Sequence, residues 1–450
     1  MSTTSIFSDQ TRAALEAIKT RRYTVAIIGL GYIGLPLFIA FHAQEFPMMG
    51  VEVDPTKIKS IENGLSYFAH IPDEKIQSLQ KSDRCHLTAD FSRIKDADAV
   101  LICVPTPLSH HREPDLSYVQ KTVRSLAPYL KKGHMLILES TTYPGTTEEV
   151  IKPICEKISG LKAGQDFFLA YSPEREDPGN TQFDTATIPK IIGADDEKAF
   201  AIASTLYSEI VCKVVPVSNT KTGEAVKLLE NIFRCVNIAL VNELKVVFEK
   251  MGIDIHEVIE AAKTKPFGYM PFYPGPGVGG HCIPVDPFYL KWKARALGIH
   301  TRFIELAGEI NTVMPHYVVK RTIEALNSYK KSVNGARILC IGLAYKPDID
   351  DCRESPTFAI MRLLDAQGAD VEYFDPYIPQ FPPIYKDKHW SNRSSIQWES
   401  DRLSSFDAAI VVTNHTNIHY KDLLQCCPLI IDTRNALASY TSKGNQVWKA

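Results

Sequence analysis

Several features that would narrow the class of protein are missing from this chain of 450 residues. It has no uninterrupted apolar run near the roughly 20 residues that a membrane-spanning helix needs. Neither sign of charge prevails, because 50 Lys and Arg side chains stand against 52 Asp and Glu side chains. The resulting net charge of −2 gives no bulk attraction to nucleic acid or to an anionic membrane. We therefore expect no nucleic-acid partner and no membrane partner.

The ten cysteines include no Cys-x-x-Cys pair. The first 22 residues lack the apolar core of a signal peptide, so we expect a cytoplasmic protein with reduced thiols. Each cysteine is by default a small buried hydrophobic residue. A catalytic role must therefore be argued from its surroundings.

The length suits two or three domains rather than one core. In the first half, short β-branched runs alternate with helical stretches, which indicates a parallel sheet with right-handed crossovers. We expect an N-terminal extension over 1–22, with a short amphipathic helix, and a first domain over 23–217. The predicted strands span 23–29, 50–54, 99–104, 135–139, 167–171, 191–193 and 214–216.

Helical periodicity dominates the middle of the chain. It continues over 222–251, which corresponds to a rod of roughly 45 Å, and returns at 255–264 and 304–326. We expect a central helical domain over 218–330. The apolar residues of its long helix lie on more than one face, which suits either a subunit interface or a buried helix between domains.

A second α/β unit follows over 331–450. Its strands are expected at 336–343, 371–374, 408–413 and 429–432. The polar, Pro- and Ser-rich stretch 379–399 is interpreted as a surface excursion.

A glycine motif follows the first predicted strand and opens a helix. It comprises Gly29, Gly31, Tyr32, Ile33 and Gly34 in the order Gly-Leu-Gly-Tyr-Ile-Gly. In this setting the first glycine makes a tight turn, the second lets the backbone approach a pyrophosphate, and the third lets helix and strand pack closely. The motif predicts a dinucleotide site on a doubly wound, Rossmann-like domain.

An acidic partner for the ribose is expected about 20 residues further on. Glu52 and Asp54 both qualify, and alternation along a strand would place them on the same side. We favour Glu52, because Asp54 precedes a proline and suits the cap of the next helix. Carboxylates here would repel a 2′-phosphate, so NAD is expected rather than NADP.

Two later strands end in polar segments on the same sheet edge, where ligands of such folds bind. Pro105 and Thr106 follow one strand, and Thr141 follows the other. We assign all three to the cofactor site. A plain turn hydroxyl remains an alternative for Thr141.

Cys282 lies in the loop Gly-Val-Gly-Gly-His-Cys-Ile-Pro-Val-Asp, which ends at Asp286. The glycines permit close approach of a ligand to the backbone. His281 and nearby backbone amides could lower the pKa of the Cys282 thiol. Asp286 could act as a base through water or hold a lysine. No second Cys or His lies at ligand spacing, so no metal site is expected. A thiol packed in a rigid loop remains the alternative.

Lys227 and Asn231 are four residues apart on the long helix and so share a face. A lysine and an amide that point into a cleft would stabilise a developing oxyanion. A solvated surface lysine is the alternative.

These motifs together resemble the UDP-glucose/GDP-mannose dehydrogenase family over residues 23–435. The resemblance implies two Rossmann-like doubly wound domains joined by a long central helix and a helical dimerisation region, within the α/β class. It also implies NAD as cofactor, a UDP-sugar substrate bound by the C-terminal domain, and a homodimer or higher homo-oligomer. The matching motifs are GLGYIG at 29–34, CVPTP at 103–107, ESTTYPGTT at 139–147, YSPERE at 171–176, KLLEN at 227–231, GPGVGGHCIPVDP at 275–287 and GLAYKPDIDDCRESP at 342–356.

The resemblance implies a four-electron oxidation of the sugar C6 alcohol to a carboxylate through a thiohemiacetal and a thioester on Cys282. It gives Lys227 and Asn231 oxyanion stabilisation, gives Asp286 and Thr141 the handling of protons and water, and gives Glu174 thioester hydrolysis. Arg353 is implied near the cofactor. The implied substrate contacts are Glu174, Arg175, Lys227, Asn231, Tyr273, Gly279 and Lys346.

Two departures bear on the sugar. His281 stands where UDP-glucose enzymes commonly have a small or tyrosyl residue before the cysteine. The segment SPEREDPGN at 172–180 differs from the SPEFLxEG segment of those enzymes. Both resemble the UDP-N-acetylhexosamine branch, closest to UDP-N-acetylglucosamine 6-dehydrogenases of bacterial surface-polysaccharide pathways. UDP-N-acetylmannosamine or UDP-glucose as substrate, a non-catalytic nucleotide-sugar sensor and a two-electron hydroxyacid dehydrogenase remain alternatives.

Overall fold

The computed structural model describes residues 9–68, 70–109, 112–177, 182–382, 390–391 and 393–450. These residues fall into two compact units. The first comprises the described residues up to Glu230 together with Phe288–Ile299, and the second comprises Asn231–Pro287 and the described residues from His300 onward. The division of the chain at 217 and 330 stays a prediction.

The first unit is built on a sheet with the strand order β3-β2-β1-β4-β5-β6-β7-β8. Its neighbouring strands are parallel except for β6 and β7. The strands are β1 Val25–Ile28, β2 Met48–Val51, β3 Cys85–Thr88, β4 Ala99–Ile102, β5 Met135–Leu138, β6 Phe168–Tyr171, β7 Lys190–Ala194 and β8 Val214–Val217.

Both faces of this sheet are covered, which explains why its strands are continuous apolar runs. Alternate residues enter opposite cores: Val25 and Ile27 join one cluster, and Ala26 and Ile28 join the other. The helices of the chain up to the start of the second unit are α1 Asp9–Lys19, α2 Gly34–Ala43, α3 Pro55–Glu62, α4 Asp73–Gln80, α5 Ser117–Leu126, α6 Lys152–Ser159, α7 Glu197–Ser208 and α8 Thr220–Lys250.

The strand predictions for this unit are largely confirmed, with three corrections. The strand expected at 50–54 spans Met48–Val51, so Glu52 lies beyond it. The β6–β7 pair is antiparallel rather than parallel, because no helical crossover joins these strands within the described residues. The edge strand β3 was not expected, since it is only half-buried and carries a weak apolar signal.

The second unit contains a parallel sheet with the order β10-β9-β11-β12-β13. Its strands also contribute side chains to two hydrophobic cores, since the neighbouring residues Ile338 and Leu339 belong to different clusters. The remaining elements are β9 Arg337–Ile341, β10 Asp370–Phe374, β11 Ala408–Val411, β12 Ile430–Asp432, β13 Val447–Lys449, α9 Ile255–Ala262, α10 Asp286–Ala296, α11 Arg302–Ser328, α12 Pro356–Asp365, α13 Ser400–Ser404 and α14 Tyr420–Cys426.

The predicted α/β class with two doubly wound sheets is therefore confirmed. The long helix expected over 222–251 is α8, which ends before Gly252 with a positive φ of 73°. Part of the polar stretch 379–399 lies outside the described residues, as do residues 1–8 of the extension. Among the helices that are described, none has the length and apolar character needed to cross a bilayer.

Candidate active site

The glycine motif makes the tight turn between β1 and α2 in the first unit. A Cβ added at Gly29, whose φ is +88°, would lie 2.6 Å from the Cys103 carbonyl oxygen. One added at Gly34 would lie 1.9 Å from the Gly29 carbonyl oxygen. A Cβ at Gly31 would meet nothing within 4 Å. The turn is therefore closed by its first and third glycines and open at the second, where a pyrophosphate would approach the backbone.

Glu52 lies beneath this turn. It is buried, and its carboxylate accepts hydrogen bonds from the Leu30 amide at 2.9 Å and the Val53 amide at 2.9 Å. Lys57 Nζ lies 3.2 Å from the same carboxylate. Glu52 thus fixes the glycine turn to the end of β2, and its contact with a ribose stays a prediction.

Asp54 has a different position from Glu52. Because the strand ends at Val51, alternation does not place the two side chains on one face. Asp54 caps α3 by accepting a hydrogen bond from the Thr56 amide at 2.9 Å. Hydrogen bonds from Thr56 lower the pKa of Asp54. The expected capping role is confirmed, and a cofactor contact stays a prediction.

Aromatic side chains that the sequence did not single out support the same turn. The Tyr67 hydroxyl donates to the Leu30 carbonyl at 2.6 Å, and the ring of Tyr32 packs on Phe68 with centroids 4.2 Å apart. Tyr67 follows α3 without any local motif, so only tertiary packing reveals it. Ile33, the last residue before α2, is half-buried.

The later strand ends carry the remaining cofactor candidates. Thr106 is buried, and its carbonyl accepts from the Tyr289 hydroxyl at 2.9 Å. Pro105 is exposed. Thr141 is buried two residues after Glu139, beyond the end of β5. The structure thus places all three at the carboxyl ends of β4 and β5, the expected edge for a dinucleotide.

The segment after β6 contacts the long helix α8. Lys227 is buried, not solvated, and its ammonium donates to the Glu174 carbonyl. Arg175 pairs with Glu230 of the same helix at 2.7 Å. Burial, together with the nearby Glu174 carboxylate, raises the pKa of Glu176 to about 8. The structure therefore brings Glu174, Arg175 and Lys227 together, while residues 178–180 of the SPEREDPGN segment lie outside the described residues.

The glycine loop around Cys282 belongs to the second unit. Gly280 has a φ of +82°, and its amide donates to the Arg353 carbonyl at 2.8 Å. A Cβ added at Gly279 would lie 2.6 Å from Tyr345 Cβ. Only glycine therefore fits between this loop and the Tyr345 segment. Cys282 itself is half-buried.

Asp286 and Asn231 form a buried polar pair in the second unit. The Asn231 side-chain amide donates to the Asp286 carboxylate, and both side chains are nearly inaccessible. The Asp286 amide donates to the Cys282 carbonyl at 2.8 Å, which closes the turn that leads into α10. Asn231 lies one helical turn after Lys227 on α8. The Asn231 amide is thus one partner of the Asp286 carboxylate, and the contact with a lysine that the sequence suggested stays a prediction.

The other substrate candidates also lie in the second unit. Lys346 is half-buried in the segment after β9. The exposed Arg353 forms a two-point contact with Asp351 at 2.7 and 3.0 Å. The Tyr273 hydroxyl donates to Glu260 at 2.7 Å. Gly279 is part of the Cys282 loop, and the backbone carbonyl of Arg353 contacts that loop. Tyr273 instead contacts Glu260 of α9.

Comparison with known families covers most of the chain. Residues 23–211 match the UDP-glucose/GDP-mannose dehydrogenase family, NAD binding domain. Residues 221–313 match the central domain of that family, and residues 339–439 match its UDP binding domain.

Individual relatives agree with this match. The UDP-N-acetyl-D-glucosamine 6-dehydrogenase of Pseudomonas aeruginosa is 37% identical over 79% of this chain and 83% of its own length. The UDP-N-acetyl-D-mannosamine dehydrogenase of Escherichia coli K12 is 33% identical over 95% of this chain and 99% of its own. A solved UDP-D-ManNAc dehydrogenase from Pyrococcus horikoshii superposes with a TM-score of 0.85 at 32% identity, covering 95% of this chain and 98% of that one.

The glycine turn, open only at its second glycine, fits the NAD that the matching domain binds. The family implied by the sequence motifs is confirmed by all three domain matches. The chain belongs to the UDP-glucose/GDP-mannose dehydrogenase family and is an NAD-dependent UDP-sugar dehydrogenase.

Proposed function

We propose that this enzyme oxidises the C6 alcohol of UDP-N-acetylglucosamine to the uronate through a thioester on Cys282. The observation that carries the proposal is the position of Cys282. Its half-buried thiol lies in a loop whose glycines permit close approach of backbone and ligand. Nine other cysteines are present, but none of them follows such a loop in the described part of the chain.

The cofactor would be held by the turn at Gly29, Gly31 and Gly34, with Glu52 beneath it and Thr106 on the next strand end. NAD, when bound, accepts a hydride from C6 in each of the two oxidations. Overall, one alcohol, one water and two NAD give one carboxylate, two NADH and three protons.

The residues of the chain divide the chemistry between them. The sulfur of Cys282 adds to the C6 aldehyde, and the adduct loses hydride to leave a thioester. Lys227 and Asn231 stabilise the oxyanion that forms at C6. Water then adds to the thioester carbonyl, the C–S bond breaks, and the thiol is regenerated.

Proton transfers fall to three further side chains. Glu174 positions the water that attacks the thioester and receives its proton. Asp286 and Thr141 handle protons and water in the oxidation of the alcohol. Asp286 is ordered for this by the Asn231 amide.

The N-acetylglucosamine specificity is supported by His281 before the cysteine and by the similarity to the Pseudomonas aeruginosa enzyme. UDP-N-acetylmannosamine is the second candidate, because the Escherichia coli and Pyrococcus horikoshii relatives, which each match 95% of this chain, carry that name. By the same reasoning from resemblance, we place the enzyme in the biosynthesis of a bacterial surface polysaccharide.

A substrate panel tests the proposal. NADH formation is followed with UDP-N-acetylglucosamine, UDP-N-acetylmannosamine and UDP-glucose under identical conditions. We expect the highest kcat/KM for UDP-N-acetylglucosamine. A higher value for either other sugar would reject this specificity while leaving the chemistry at Cys282 intact.

A further inference from the structure

A buried ion pair lies below the segment that carries Glu174. Lys190, the first residue of β7, places its Nζ 2.7 Å from Oε2 of Glu139, which directly follows β5. The two side chains are 6% and 0% exposed. Taking two charges out of water costs free energy that their attraction often fails to recover. Stability alone is therefore a weak explanation for this pair.

Lys190 has two additional partners, and both belong to the segment after β6. Its ammonium donates to the Pro173 carbonyl at 3.1 Å, and it lies 3.7 Å from Oε2 of Glu174. Oε1 of Glu174 accepts a hydrogen bond from the Glu176 amide. One carboxylate oxygen is thus turned toward the buried cation and the other toward the backbone.

The Glu139 carboxylate of the pair also has a second partner. The Tyr207 hydroxyl donates to Oε1 of Glu139. Burial raises the pKa of Glu139 to about 7, against the opposing effect of Lys190. Burial works against the charged form of Lys190, but the Glu139 and Glu174 carboxylates outweigh it and raise the pKa of Lys190. The ammonium therefore stays charged at neutral pH, when Glu174 is to act.

We propose that Lys190 is a positioning residue for hydrolysis of the thioester. It fixes the Pro173 carbonyl and the Glu174 carboxylate in one arrangement, and Glu139 holds the ammonium at the distance from which it reaches both. Hydride transfer to NAD does not involve Glu174, so loss of Lys190 should slow hydrolysis selectively. This inference rests on the proposed thioester at Cys282 and on the proposed role of Glu174.

Two variants separate this role from general support of the fold. Glu139→Gln removes the carboxylate and keeps the Lys190 ammonium. The double variant Glu139→Gln with Lys190→Met removes both charges of the pair, so neither Glu139 nor Lys190 is left as an unpaired buried charge. The two proteins differ only at Lys190, and thermal unfolding of each verifies that it is folded.

The readouts are the NADH burst, the steady-state kcat and the intact mass of the enzyme during turnover. For the double variant we expect a burst of two NADH per site, a kcat about 100-fold below that of Glu139→Gln because Glu174 is misplaced, and accumulation of the acyl-enzyme. Equal kcat values for the two variants, or a burst reduced as much as kcat, would overturn the role of Lys190. Formation of one NADH rather than two per UDP-sugar consumed by the wild-type enzyme would instead refute the proposed function.

Discussion

At the scale of single residues, His134 shows how burial fixes a protonation state. Its ring is inaccessible, Nδ1 accepts from the Lys131 amide at 3.1 Å, and Nε2 lies 2.9 Å from the Ala97 carbonyl oxygen. This pattern needs a neutral imidazole with its proton on Nε2. Burial, with a further contribution from Lys131, lowers the pKa of His134 to about 4.

This depressed pKa makes stability depend on pH. The unfolded chain binds a proton near the ordinary histidine value of about 6.5, whereas the folded chain resists it down to about pH 4. The His134 contribution is therefore complete above pH 6.5 and is lost as pH falls toward 4. The shift corresponds to about 3 kcal/mol.

We expect the thermal midpoint of the wild-type protein to fall more steeply between pH 7 and pH 4.5 than that of His134→Gln. Differential scanning calorimetry at several pH values measures both curves. His86→Gln, at an exposed position, controls for the loss of an imidazole. Parallel curves for wild type and His134→Gln would contradict the assignment.

At the scale of elements, the turn between β1 and α2 separates two uses of glycine. Gly34 has no room for a Cβ because of the Gly29 carbonyl, whereas Gly31 has open space. One position therefore serves the packing of the fold and the other serves access of the ligand.

Gly34→Ala should destabilise the first unit by about 1–3 kcal/mol through overpacking, and NAD binding should weaken with it. Gly31→Ala should leave the thermal midpoint within about 2 °C of wild type, since its cost to the fold is small, yet weaken NAD at least 10-fold. Calorimetry and NAD titration give both values. Equal loss of stability in the two variants would refute this division of roles.

Some features of these elements are predictable from sequence patterns, and others are not. Buried strands such as Val25–Ile28 are covered on both faces, so their apolar runs are visible in the sequence, and the spacing of Lys227 and Asn231 follows from helical geometry. The antiparallel β6–β7 pair depends on a connection with no repeating pattern. In the sequence, Lys190 is indistinguishable from an ordinary lysine at the end of a strand. Its partner Glu139 is 51 residues away in the chain, so no local pattern links the two. Such pairings arise from tertiary packing alone.

At the scale of the whole molecule, the second unit repeats the design of the first. Gly342 follows β9 with a φ of +90°, as Gly29 follows β1 with a φ of +88°. Asp375 follows β10 and accepts from the Leu343 amide at 2.6 Å, as Glu52 accepts from the Leu30 amide. The matching family domains are an NAD binding domain and a UDP binding domain, so we expect the turn and acid of each unit to lie at its nucleotide site.

The second unit also exposes a stripe of apolar side chains on two helices. Phe233, Leu240 and Val247 recur at seven-residue intervals on α8, and Phe303 and Leu306 begin α11. Exposed apolar surface of this kind is typical of protein interfaces. We propose that a second copy of the chain covers it, in keeping with the predicted homodimer.

Leu240→Glu combined with Phe303→Glu should therefore convert the dimer into monomers at micromolar concentration. Light scattering after size exclusion gives the molar mass. Tyr118→Glu, an exposed aromatic position on α5 of the first unit, serves as the control and should leave the mass unchanged. A wild-type protein of monomer mass, or a charged variant that stays dimeric, would contradict the proposed interface.

The proposed mechanism requires that one thiol carries an alcohol through to a carboxylate, and the yield of NADH from a limiting amount of UDP-sugar measures whether it does. Wild-type enzyme should form two NADH per sugar. Cys282→Ala can form no thioester and should give at most one NADH, with no uronate, although NAD and UDP-sugar still bind. One NADH per sugar from the wild type, or two from Cys282→Ala, would rule out the thioester mechanism.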